Sequence, residues 1–171
     1  MIDNGKAVHR LVRIAAMTAI LETAKFALNA VANVELVTLL VILFTERFGQ
    51  RETLSAVLLF ALLESMWWGV NIWTITYFYV WPILVFISVP LAKEPSVLLK
   101  SIAAGIFGLL FGLLCSLTTL VISGPQAAFA WWAAGIPFDL IHALSNFLLC
   151  LVLYRPLSDV LNHLHPAKAG S

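Results

Sequence analysis

Six ionisable residues stand inside otherwise apolar stretches of this sequence: Glu22, Lys25, Glu35, Glu64, Asp139 and His142. An unpaired charge in a membrane interior costs at least about 2.5 to 3.5 kcal/mol, so each needs a partner, a cavity or a proton. Glu22 and Lys25 are three residues apart, as are Asp139 and His142, so each pair shares one helix face, and Asn146 extends the second stripe by a turn. Two readings of these pairs stand side by side: mutual neutralisation within a helix bundle, or the polar wall of a ligand pocket. Glu35 and Glu64 have no cation on their own helices, which leaves protonation, a contact with Lys25 across helices, or acceptance of a ligand donor. Asn33, Thr38 and Asn71 add neutral hydrogen-bonding groups at the same level. This set points to binding rather than catalysis. The sequence has no G-x-S-x-G, no H-E-x-x-H, no phosphate loop and no cysteine-rich metal spacing, and His142 is the only histidine inside an apolar segment.

The elements that must position these residues follow from composition. With 61% hydrophobic and 11% charged residues in 171, and a mean hydropathy of +0.97, the chain reads as an all-α integral membrane protein. Six apolar segments, approximately 8–31, 34–48, 53–70, 75–92, 97–122 and 135–156, predict a bundle of six transmembrane helices. Polar or helix-breaking clusters at 29–33, 46–52, 69–74, 93–96 and 123–135 separate them. At about 20 residues each the spans take roughly 120, which leaves no room for a soluble ATPase. One transmembrane substrate-binding domain is expected over 1–166, with 167–171 as an appended tail. The second segment, about 15 residues long, reaches some 22 Å, so it is expected to tilt or to begin against protein below the surface.

Orientation follows from the basic residues. If the spans alternate, Lys6, Arg10, Arg13, Arg47, Arg51, Lys93, Lys100, Arg155 and Lys168 fall on one side and only Lys25 is left inside a span. Both termini are then cytoplasmic, with outer loops near Ala32, Asn71 and Gln126. The outer side collects Trp73, Trp131 and Trp132, with Trp67, Trp68, Tyr77, Tyr79 and Trp81 close by. These rings read either as an interfacial belt or, because they gather on one side, as part of an outward-facing pocket shared with the ionisable residues. Cys115 and Cys150 read as packing residues rather than a disulfide. Basic residues that flank membrane segments instead of forming a patch argue against nucleic acid. Small residues form two ridges, Ala15 with Ala19 and Gly108 with Gly112 and Ser116; each suits close helix contact, within the chain or with another membrane subunit.

Six short spans, the Ala15-x-x-x-Ala19 pair and the Asn33-Val-Glu-Leu-Val-Thr38 opening of the second span resemble the substrate-binding S component of energy-coupling factor (ECF) transporters. The resemblance implies a multi-pass subunit of the bacterial cytoplasmic membrane that is not itself an enzyme. It would capture a vitamin from outside and deliver it by docking on a transmembrane T subunit with two cytoplasmic ATPases, where ATP and Mg are used. Docking would fall on Ala15 and Ala19, and the subunit would topple in the membrane to carry its ligand inward. The segments Asn33 to Thr38, Tyr77-Phe-Tyr-Val-Trp-Pro82 and Gly135 to His142 are most similar to the S component for cobalamin, vitamin B12. On that resemblance cobalamin is the transported ligand, no cofactor or metal is held by the chain itself, and lipid is its surrounding partner. The candidate binding residues are Lys25, Asn29, Asn33, Glu35, Glu64, Trp67, Asn71, Tyr77, Trp131, Trp132, Asp139, His142 and Asn146. Cobalamin's amide rim suits the polar members and its broad faces suit tryptophan. His142 is expected to hydrogen-bond beside Asp139, with contact to cobalt as the alternative. Pantothenate paired with Lys25 and a non-transporting structural membrane subunit are the other readings.

Overall fold

The computed structural model of the protein describes residues 4–31 and 33–164. Ala32, expected at an outer loop, and the tail 167–171 lie outside the described residues. Among the described residues the chain forms six helices and no strand: α1 (Asn4–Leu28), α2 (Val37–Phe48), α3 (Gln50–Trp68), α4 (Ile72–Leu91), α5 (Val97–Ser123) and α6 (Pro125–Leu164). Three of them, α4, α5 and α6, are long and apolar enough to cross a membrane.

α1 and α3 are of comparable length but carry charge, and those charges meet one another. Arg13 makes a forked pair with Glu52, Nε to Oε2 at 2.9 Å and Nη2 to Oε1 at 2.7 Å. Near the other end of the same interface Lys25 pairs with Glu64, whose side chain is fully buried. The sequence spacing offers Glu22 as the partner of Lys25, and the structure gives the pairing to Glu64. Glu22 instead faces Phe26, Leu63, Met66 and Trp67, and one of its oxygens has no hydrogen-bond partner.

The 12-residue α2 lies at the centre and packs against every other helix, with all of Val37 to Thr45 buried. A helix sheathed by protein has no polar face to present, which is why the stretch Leu39 to Phe44 is apolar on every side, with charge only in the last turn at Glu46 and Arg47. The expectation of a short second segment set against protein matches this arrangement. The helix begins three residues later than the apolar segment, because the described residues 29–31 and 33–36 form turns and irregular backbone.

The largest departure from the sequence reading is at the expected loop 123–135. A single residue, Gly124, separates α5 from α6; its φ of 84° is open to glycine and strained for other residues. Pro125 then starts α6 with φ already helical and no N–H to satisfy. Gln126, Trp131, Trp132 and Gly135 therefore belong to a 40-residue helix and not to a loop. α5 and α6 share the most extensive interface in the molecule. A Cβ on Gly108 would sit 2.8 Å from the His142 carbonyl oxygen, and one on Gly112 would overlap the Asp139 carboxylate. This ridge is packing within the chain. Cys115 and Cys150 are both buried free thiols.

Candidate functional site

A cavity of about 200 Å³ opens where α2 begins. Its wall is built by Lys25 and Leu28 from the end of α1, by Asn29, Val31, Asn33, Val34 and Glu35 from the irregular segment, and by Val37 from α2. Tyr77 and Trp81 come from α4, Phe111 from α5 and His142 from α6.

Glu35 organises this region. Its Oε2 accepts the Thr38 backbone N–H at 2.8 Å and its Oε1 accepts the Thr38 hydroxyl at 2.5 Å, so a carboxylate caps the first turn of α2. Position 36, the formal N-cap, is a leucine without a side-chain bond, and Glu35 supplies the acceptor it lacks. The positive end of the helix dipole favours an anion at this place. His142 Nε2 lies 3.3 Å from Glu35 Oε1. Two further bonds fasten the segment to α6: Ser145 Oγ donates to the Asn33 carbonyl at 2.8 Å, and Asn146 Nδ2 donates to Thr38 Oγ1 at 3.1 Å. Asn33 adopts a positive φ of 59°, which asparagine tolerates better than most residues.

The opposite wall is aromatic. Trp73, Tyr77 and Trp81 recur every four residues on α4 and stack edge to face along it, at 5.4 and 5.3 Å between centroids. The chain of rings continues through Phe111, 5.7 Å from Trp81, to the His142 imidazole at 4.9 Å. The Lys25 ammonium lies over this series, 4.6 Å from the Trp73 ring and 5.4 Å from that of Tyr77. A cation between a buried carboxylate and aromatic faces is stabilised by both. The indole N–H of Trp81 is buried without an acceptor.

Of the thirteen binding residues expected from sequence, the cavity gathers Lys25, Asn29, Asn33, Glu35, Tyr77 and His142. Glu64 stands behind Lys25 as its counter-ion. Asn146 is buried one layer below, where it supports Thr38. Asp139 is not beside His142 in a hydrogen bond as the spacing proposed: its Oδ1 accepts the Gly112 backbone N–H at 3.0 Å, inside the α5–α6 interface. Asn71 caps α4, accepting from Trp73 and Thr74. Trp67 is exposed at the end of α3 against Phe26, and near the start of α6 Trp131 is exposed and Trp132 half-buried against Phe129. None of these last four lines the cavity. Trp81 and Phe111 do: the sequence places Trp81 with the outer-side rings but not among the binding residues, and it does not single out Phe111. The four-residue repeat Trp73, Tyr77, Trp81 is a signal that could have found the first; Phe111 has none.

Among the described residues no three His, Cys, Asp or Glu side chains form a metal-binding group. No protein-family model, curated protein or solved structure matches the chain.

Proposed function

We propose that this chain is the substrate-capture subunit of an ATP-driven vitamin importer, an S component that binds its ligand in the cavity at the head of α2. The observation that carries the reading is the cavity itself: a polar and aromatic pocket drawn from five helices and from residues 29, 31 and 33–35, in a chain with three long apolar helices. In this reading all six helices form the membrane bundle, both termini are cytoplasmic and the membrane is that of a bacterial cell. The cavity then faces outward. α1 supports the docking half of the reading. Ala15 and Ala19 are exposed on it, next to exposed Val8, Leu11 and Val12, so an apolar strip of low relief is left for a T subunit with its two ATPases.

Cobalamin is the ligand we propose, on the sequence resemblance and on the match between its amide rim and Asn29, Asn33 and Glu35. The volume of about 200 Å³ is below the roughly 300 to 1,000 Å³ that encloses a drug-sized molecule. Cobalamin would therefore enter by one amide-bearing edge. The same volume favours a second reading, in which a compact vitamin such as pantothenate fills the cavity as it stands.

Equilibrium binding to the purified protein in detergent separates these, with cobalamin, pantothenate, biotin and riboflavin compared. Saturable binding of cobalamin alone is the expected result; binding of a compact vitamin instead removes the cobalamin assignment and keeps the importer. Ala15→Trp should retain binding and abolish uptake in cells that carry the partner subunits. Absence of any binding, repeated with partner subunits copurified, would leave a structural membrane subunit as the better reading.

A further inference from the structure

The charged groups on the cavity wall are already engaged within the chain. Lys25 is held by Glu64 and by the rings of Trp73 and Tyr77, and Glu35 is held by Thr38 and His142. To turn Lys25 toward a ligand anion would strand Glu64, which is fully buried, and an uncompensated buried charge cancels what the new ion pair would contribute. To turn Glu35 toward a ligand cation would uncap α2. The polar wall groups that make no hydrogen bond among the described residues are neutral: the carboxamides of Asn29 and Asn33, the hydroxyl of Tyr77 and the buried indole N–H of Trp81. Asn33 is engaged by Ser145 only through its main-chain carbonyl, which leaves its side chain free.

We infer that the cavity selects an uncharged part of its ligand that bears carboxamide or hydroxyl groups, and that Asn29, Asn33 and Tyr77 read it. The ion pairs hold the wall and do not hold the ligand's charge. This deepens the capture reading and rests on it. A carboxamide side chain offers donors and an acceptor, and a phenol offers one donor with acceptor capacity, so together they complement a ligand amide or alcohol on both counts. A ligand carboxylate finds no free cation here and would be desolvated without compensation. The apolar flank of the same ligand part would lie against Tyr77, Trp81 and Phe111.

Matched pairs that differ only in charge test this: pantothenate against its alcohol panthenol, biotin against biotin amide, and cobalamin against its peripheral monocarboxylic acids. Calorimetric binding to the detergent-solubilised protein is measured at low and high salt. The neutral member of whichever pair binds should be tighter by about ten-fold or more, and its affinity should change less than about two-fold with salt. Tyr77→Phe, which keeps the ring and removes the hydroxyl, should weaken the neutral member about ten-fold and leave the thermal midpoint in place. A carboxylate member that binds as tightly as its neutral partner overturns the inference, as does a Tyr77→Phe affinity within about two-fold of the parent. The two readings separate in uptake assays with the T subunit and ATPases present. Selection of neutral ligands without uptake keeps this inference and removes the importer; uptake of a preferred carboxylate does the reverse, and no binding of any member removes both.

Discussion

At the end of the bundle where α2 finishes, Lys100 is 2% exposed and its ammonium lies 2.5 Å from both Glu46 Oε2 and Tyr154 Oη, while Tyr154 itself donates to Glu46. At the end where α2 begins, Glu35 is satisfied by its own helix and by His142, and beside it a cavity is left whose free groups are neutral. Both ends place charge near a terminus of the same central helix. At the far end a glutamate on the last turn of α2 opposes the helix dipole, and Lys100 from α5 compensates it, with Tyr154 from α6 closing the triangle. At the cavity end the carboxylate agrees with the dipole and needs no lysine of its own; Lys25 on the same wall is taken by Glu64 and the Trp73 and Tyr77 rings. The difference shows how a cavity is left in a tightly packed bundle: the charge there is balanced by the Thr38 N–H and hydroxyl and by His142, and no long side chain is laid across the helix end.

Three substitutions would break or sharpen this contrast. Lys100→Met should have the largest effect, since it leaves Glu46 facing a helix terminus without its cation. About 3 kcal/mol is expected, at the low end for a broken buried pair because the Glu46 side chain is 33% exposed. Thermal unfolding in detergent reads it, and ligand affinity at the other end should hold; loss of binding with little loss of stability would contradict the division of roles. Glu35→Gln should cost about 1 kcal/mol, as a weakened helix cap does, and lower ligand affinity as well, because the capped turn anchors the 33–36 wall. An unchanged affinity would detach the cap from the site. The smallest effect should come from Arg13→Ala. Its pair with Glu52 is partly open, at 31% and 14% exposed, so at most about 1 kcal/mol is expected, fading in high salt. A salt-independent loss of several times that size would mark this pair as buried in the membrane-bound protein.

Several parts of the candidate site are legible in the sequence. The cost of a charge in an apolar segment singled out Lys25, Glu35 and His142, and all three line the cavity. The brevity of the second segment predicts either a tilted helix or one that begins against protein, and α2 is packed against all five other helices. The same reasoning misplaced Trp131 and Trp132. Thirteen residues containing two glycines and a proline looked like a loop, yet Gly124 alone makes the turn and Pro125 is compatible with the first turn of a helix. Asp139 was misjudged for another reason: it is costly in an apolar segment, but a backbone N–H at glycine satisfies it, and no pattern of side chains announces a backbone donor.

Composition and spacing by themselves determined that the chain is helical and apolar, which residues are expensive to bury, and which of them share a helix face. Tertiary structure alone decided who meets whom. Lys25 shares a face with Glu22 and pairs with Glu64; Asp139 shares one with His142 and bonds to Gly112, while His142 turns to Glu35. Periodicity fixes neighbours along a helix, but partners across an interface depend on how far each helix is rotated and how closely glycines let two backbones approach. Those quantities are sums over many weak packing contacts spread along the whole chain, so no local stretch of sequence contains them.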